Sequence, residues 1–234
     1  MALLPVSGAA LVRALAQQSY VVAALARREE ELTAVCQQAP QAIPYVHDVT
    51  DFEAIPALFE QIMQELGGLD LIIYVAGVQP AVALDEYNTD KDKTMIEVNL
   101  MGAIAWLNLA AIRFARAKKG HIVGISSIAG DRGRVGSPVY NTSKAGLNTY
   151  LEALRNRLSK KGVTVTTIKP GFIDTALLEN APKTFWVISP EEAAAEMMQA
   201  IQSKRQIAYV PARWRLVGLI VRLIPSFIFR RLSF

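Results

Sequence analysis

Soft-ligand chemistry has little to work with in this chain of 234 residues: there is one cysteine, Cys36, and there are two histidines, His47 and His121. An internal disulfide and a cysteine-based metal cluster are excluded, and two histidines are too few for a convincing metal site, so no metal is expected. No long basic run is present either. Charged residues make up 20% of the chain and the net charge is +4, which would suit an anionic partner but makes no case for nucleic acid. The opening residues 1–16 are apolar and end in small residues, yet they lack a basic leader, are interrupted by Arg13 and continue into a helix-like pattern, so they read as part of the fold and not as a signal peptide. Internal repeats, low-complexity tracts and Pro/Gly linkers are missing too. The expectation is one domain over 1–211 followed by an apolar, basic tail over 212–234.

Hydrophobic residues account for 52% of the chain, enough to bury one sizeable core. Short runs rich in Val, Ile and Tyr at 20–25, 42–46, 69–75, 120–125 and 163–169 alternate with helix-length amphipathic stretches at 9–18, 29–37, 51–66, 94–118 and 139–160. This alternation predicts an α/β fold, a doubly wound parallel sheet with helices on both faces. Gly67-Gly68 can end the helix that carries Phe59, Ile62, Met63 and Leu66. Ser189-Pro190-Glu191-Glu192 has the cap, the proline at the first helical position and the acidic first turn that start a helix, here through Ile201.

Tyr140 and Lys144 stand one helical turn apart, so a phenol and an ammonium share a face. A free tyrosine, with a pKa of about 10, is a poor acid-base group at neutral pH, and a nearby cation would help it. The pair alone is weak, because Tyr and Lys meet by chance on solvated helices. Ser127, however, directly follows the apolar run ending at Ile125, where open α/β sheets bind ligands. Asn99 places an amide inside an otherwise apolar stretch, where an unpartnered polar group is costly.

Taken in order, Asp48-Val49, Ala76-Gly77, Asn99, Ile125-Ser126-Ser127, Tyr140 with Lys144, and Pro170-Gly171-Phe172-Ile173-Asp174-Thr175 resemble the short-chain dehydrogenase/reductase family over nearly the whole chain. The resemblance implies a Rossmann-like sheet with a nicotinamide dinucleotide along its C-terminal edge. It implies that Tyr140 exchanges a proton with the substrate oxygen, that Ser127 orients that oxygen, and that Lys144 lowers the tyrosine pKa and binds the nicotinamide ribose. Asn99 would hold a water in a relay to Lys144. Ile173 and Thr175 match positions that meet the carboxamide, and Pro170-Gly171 suits a rigid turn with close backbone approach; the plainer alternative is an ordinary strand-ending turn. Asp48 and Val49 match the adenine position, with a helix cap as the alternative for Asp48. Arg27 and Arg28 follow the second run, where an arginine favours a 2′-phosphate, so NADP(H) is expected over NAD(H). The alternative is pairing with Glu29, Glu30 and Glu31.

The resemblance breaks at the N-terminus. The family's first strand and its Thr-Gly-x-x-x-Gly-x-Gly loop are not matched; if Gly8 is the last glycine of that loop, Ala2 and Val6 replace the other two. Either residues 2–6 supply a short strand, which Pro5 suits poorly, or the sequence begins downstream of the natural start. Two functional classes follow. One is an NADP-dependent oxidoreductase acting on an apolar alcohol or ketone; the other is a catalytically impaired relative serving as a membrane-associated or partner-binding module. The stretch 176–187, with Phe185 and Trp186, lies over the substrate in the family and suggests a lipophilic one; otherwise it is a connecting loop. In the tail, Trp214, Leu216, Leu219, Ile220, Leu223 and Phe227 with spaced arginines suit a bilayer interface or a helix packed on the domain or on a partner. A cytoplasmic protein, peripheral to a membrane through this tail and homo-oligomeric, is expected.

Overall fold

The computed structural model describes residues 2–3, 6–175, 178 and 184–232. Strands β1 (Ala2–Leu3), β2 (Val22–Ala26), β3 (Ala42–Val46), β4 (Leu71–Tyr74), β5 (Gly120–Ile125), β6 (Val163–Pro170) and β7 (Ile207–Val210) form one sheet in the order β3-β2-β1-β4-β5-β6-β7. Every pairing is parallel. Such a sheet needs a crossover between successive strands, and helices supply each one. These are α1 (Val6–Gln17), α2 (Glu29–Gln37), α3 (Ile55–Leu66), α4 (Thr89–Ile96) running through a π-turn at Glu97–Met101 into α5 (Gly102–Ala117), α6 (Pro138–Leu158) and α7 (Pro190–Gln202). Two further helices, α8 (Trp214–Leu223) and α9 (Ser226–Phe229), follow β7.

Side chains alternate across the strands and so divide the core between two faces. Ile72, Tyr74 and Ile122 point to one face, where Phe59 of α3, Trp106 and Phe114 of α5, and Leu147 and Leu151 of α6 cover them. Ile73, Val123 and Ile168 point to the other, beneath Leu11 and Leu15 of α1, Leu32 of α2, and Met197 and Ile201 of α7. Gly124 is required where α6 crosses β5: a Cβ there would lie 2.4 Å from Leu151 Cδ1. The expected caps are in place, with Gly67 left-handed at φ 69° after α3 and the Ser189 hydroxyl accepting from Glu192 N at 3.1 Å.

At the N-terminus a two-residue strand is formed. Ala2 and Leu3 pair with Ala24 and Leu25 on one side and with Ile73 and Tyr74 on the other, so β1 takes the central place with two register pairs to each neighbour among the described residues. Pro5 lies outside those residues. Gly8 falls in the first turn of α1 and is buried. Two features went unpredicted. β7 is a four-residue edge strand of apolar residues only, too short for a period to show in the sequence, and α4 starts at Thr89 because Asn88 caps it, its side chain accepting from Lys91 N at 3.1 Å.

Candidate active site

In a doubly wound sheet the loops at the C-terminal strand ends converge where the strand order reverses, here between β1 and β4. β4 delivers Val75-Ala76-Gly77, and β5 delivers Ser126-Ser127. Ser127 caps a 3-10 turn over Ile128–Asp131, its Oγ accepting from Ala129 N at 3.1 Å. Across from it, Tyr140 sits in the first turn of α6, where the Ser127 hydroxyl favours its phenolate form. Burial pushes the tyrosine pKa up, and the bond to Ser127 and the charge of Arg134 offset this only in part, so the phenol stays above its ordinary value.

One turn on, Lys144 is 4% exposed and its Nζ donates to the Ile125 carbonyl at 3.2 Å. The ammonium lies 5.8 Å from the centre of the Tyr140 ring. Desolvation lowers its pKa to about 8. An ammonium has three donors, and the Ile125 bond uses one. The space beside it is kept open by Gly77, where a Cβ would lie 3.3 Å from Lys144 Nζ and 3.5 Å from Asn99 Oδ1.

Asn99 belongs to the π-turn, a widened turn of the kind that often marks functional positions. It is fully buried. Its Oδ1 accepts from Val78 N at 2.7 Å, while its Nδ2 donates to Val78 O at 3.0 Å and to Ser143 Oγ at 3.1 Å. Both amide hydrogens are thereby used, so the side chain anchors the loop after Gly77. Ser143 in turn donates to the Tyr140 carbonyl at 2.8 Å.

A cleft of about 860 Å³ spans the switch point and meets this cluster at Gly77. Ala76, Gly77, Val98 and Thr175 line its near end, and Val49, His47, Arg27 and Arg28 its far end. The volume lies in the range of cofactor-sized sites. At the rim Arg27 is 3.5 Å from Asp48 Oδ2, whereas Arg28 pairs with Glu31 at 2.7 Å, the solvated helix-start contact weighed as its alternative. Asp48 also accepts from Thr50 N at 2.9 Å and Thr50 Oγ1 at 2.8 Å. Desolvation raises the Asp48 pKa, but Thr50 and Arg27 outweigh it and hold the carboxyl below its usual range.

Gly171 N donates to Val210 O at 2.9 Å, and a Cβ on Gly171 would fall 2.0 Å from Trp214 Nε1. The close approach that requires glycine is therefore to an indole of α8. Pro170 closes β6, Ile173 forms a parallel bridge with Ile188, and Thr175 reaches the cleft. Most of the stretch over 176–183 lies outside the described residues. Sequence reading missed Arg134, Ser143 and His47. Arg134 sits in a Gly-flanked loop without periodicity, and His47, whose Nε2 has no hydrogen-bond partner, is edge-on to Trp106 at 5.4 Å. Only its place next to Asp48 could have drawn attention to it.

A parallel sheet in this strand order, with a serine, tyrosine and lysine gathered at its C-terminal edge beside a dinucleotide-sized cleft, defines an oxidoreductase of the Rossmann type. A family model described as short chain dehydrogenase matches residues 7–185, and the chain belongs to that family of NAD(P)-dependent dehydrogenases and reductases. It is 30% identical over 211 residues to an uncharacterized oxidoreductase of Mycobacterium tuberculosis, covering 87% of this chain and 83% of the relative. An uncharacterized oxidoreductase of Staphylococcus aureus is 30% identical over 203 residues, with 86% and 88% covered. Among solved structures, one titled ElxO with NADP bound superposes with a TM-score of 0.79 at 20% identity, over 89% of this chain and 95% of that one. The crystal structure of gox2181 gives 0.76 at 23% identity, over 87% and 88%.

Proposed function

We propose that the protein is an NADPH-dependent carbonyl reductase for apolar ketones, working through Tyr140, Ser127 and Lys144. The observation that carries this reading is the buried Lys144 ammonium, one turn from Tyr140, standing against Gly77, which lines a cleft that Arg27 also lines. The residues fit a dinucleotide. Lys144 has donors to spare beside the opening left by Gly77, Ala9 in the first turn of α1 lines the cleft, where a helix N-terminus suits a phosphate, and Arg27 is 62% exposed in its side chain and free to turn from Asp48 to a phosphate. Lys144 would hold the nicotinamide ribose, Val49 and Asp48 the adenosine end, Thr175 and Ile173 the carboxamide end, and Arg27 a 2′-phosphate. Ala76, Gly77, Pro170 and Gly171 supply backbone walls.

A bound nicotinamide supplies the hydride for the carbonyl carbon. The chain supplies the proton. Burial keeps Tyr140 protonated at neutral pH, so the phenol is a donor poised for reduction, with the Ser127 hydroxyl beside it to hold the substrate oxygen. As the proton leaves, the positive charge of Lys144 stabilises the phenolate. Asn99 acts at one remove, fixing Val78 and Ser143 so that Gly77 and α6 keep their spacing. A lipophilic substrate is supported by Phe172, Phe185 and Trp214, which meet with ring centres 5.0 to 5.7 Å apart next to Gly171.

Titration with NADPH and NADH, read by tryptophan fluorescence, tests the cofactor assignment. Saturable NADPH binding is expected, and Arg27→Ala should weaken NADPH over NADH by about 10- to 100-fold, the size of one charge-assisted phosphate contact. Equal losses for both cofactors would remove Arg27 from the phosphate, and no binding of either would refute the redox reading.

A further inference from the structure

The amphipathic helix α8 is mounted with its apolar side outward. Trp214 and Gly218 face the domain, Gly218 because a Cβ there would lie 2.8 Å from Asp131 Oδ2 and 2.9 Å from the Tyr209 ring. The opposite face presents Leu216, Leu219, Ile220 and Leu223, and α9 continues it with Phe227 and Ile228, all between 43% and 71% exposed. At the spacing i, i+3, i+4, i+7 these make one stripe, of a size and continuity that soluble surfaces seldom leave uncovered.

The mounting is firm, which separates this stripe from a fraying tail. Arg132, in the loop after the Ser127 turn, donates to the carbonyls of Val221 (2.7 Å) and Ile224 at the C-terminal end of α8, and its guanidinium stacks 3.9 Å from the Phe229 ring centre. At the other end Trp214 joins Phe172, Phe185 and Trp186, with Arg213 5.2 Å over the Trp186 ring. Phe185 and Trp186 are themselves 50% and 46% exposed. The stripe thus runs on to the aromatic edge beside Gly171.

Charge identifies what covers it. After Glu196 the sequence has no acidic residue, whereas Arg213, Arg215, Arg222, Arg230 and Arg231 lie in or beside α8 and α9. Two copies meeting through this face would bring like charges together, and a neutral partner would leave the arginines unanswered. We propose that α8, α9 and the Phe185–Trp186 edge lie in the plane of an anionic phospholipid surface, with the leucine stripe in the acyl boundary and the arginines among the headgroups.

The test is flotation of the full chain with vesicles of phosphatidylcholine alone and of phosphatidylcholine with phosphatidylglycerol, without cofactor. Docking is read independently of turnover, so its failure is distinct from failure of the redox reading. Binding to the anionic vesicles is expected, and Leu219→Ser with Leu223→Ser should weaken it on the order of tenfold. Both side chains point away from the domain; unchanged circular dichroism and unchanged gel-filtration volume check the fold. Arg215→Gln with Arg230→Gln should weaken it and reduce its salt dependence. Brominated phosphatidylglycerol should quench fluorescence, and Trp186→Phe should abolish the quenching, because Trp106 and Trp214 are buried. No binding to anionic vesicles, equal binding to both compositions, or binding indifferent to the leucine pair would overturn the proposal. So would concentration-dependent dimerisation that the leucine pair abolishes, since that makes a second copy the occupant.

Discussion

At the scale of single residues, burial sets the protonation states and these set the chemistry. Tyr140→Phe removes the donor and leaves the ring, so it should lower kcat by about 10²- to 10⁴-fold, the usual contribution of a positioned proton donor, with NADPH affinity nearly unchanged; retained turnover would exclude tyrosine as the acid. His121 shows the same logic away from the site. The Thr166 hydroxyl donates to Arg205 O at 2.6 Å, so it can only accept from His121 Nε2, 2.8 Å away, and the proton lies on Nε2. Desolvation first, and Lys204 second, depress the His121 pKa to about 4. The folded protein therefore favours the neutral ring, while the unfolded chain takes up a proton near pH 6.5. Stability should fall as pH drops from about 6.5 to about 4, by at most about 3 kcal/mol from this residue. His121→Gln keeps an Nε2 donor for Thr166 and should flatten that part of the curve in urea titrations; an unchanged slope would assign it to other groups.

Element by element, packing at the C-terminal side of the sheet is decided by pairs that no local pattern announces. Lys169 of β6 and Asp131 are 7% and 2% exposed in their side chains and 2.5 Å apart, and Tyr209 of β7 donates to the same carboxylate at 2.7 Å. The pair ties β6 and β7 to the turn that carries Ser127. Lys169→Met leaves Asp131 buried without its cation and should cost about 3–5 kcal/mol. The double variant with Asp131→Leu should recover much of the loss in denaturant unfolding, and additive losses would show that the two side chains act separately. The strands and crossover helices themselves were legible because each carries several apolar residues at the right period. β7 was not, having four residues of which only Ala208 and Val210 are buried. The start of α4 was missed because the apolar pattern begins only at Met95, about two turns after the Asn88 cap.

On the scale of the whole molecule, a ligand that binds the folded chain alone must raise its stability. At NADPH a hundredfold above its dissociation constant the gain is about 2.7 kcal/mol, which for a domain of this size shifts Tm by roughly 5–10 °C. A thermal scan showing no shift under conditions where binding saturates would mean that the unfolded chain binds as well. The long apolar run Thr89–Ala117 passes a length and composition test for a membrane span, yet Trp106, Leu107, Ala110 and Phe114 are buried against the sheet, which accounts for its hydropathy.

The order of Asp48, Gly77, Asn99, Ser127, Tyr140 and Lys144 along the chain was sufficient to determine the family and the parallel sheet, because each residue type meets a local need that the periodicity frames. Tertiary structure alone decided the rest. It made Ala2–Leu3 a central strand, a matter of two register pairs on each side. It spent the Asn99 amide on Val78 and Ser143. And it gave Gly171 to Trp214 and turned the leucines of α8 toward solvent. Contacts between residues far apart in sequence have no period to read, and which side of an amphipathic helix meets the domain depends on what the domain offers it. Here that is a recess over Asp131 and Tyr209 which a glycine fits.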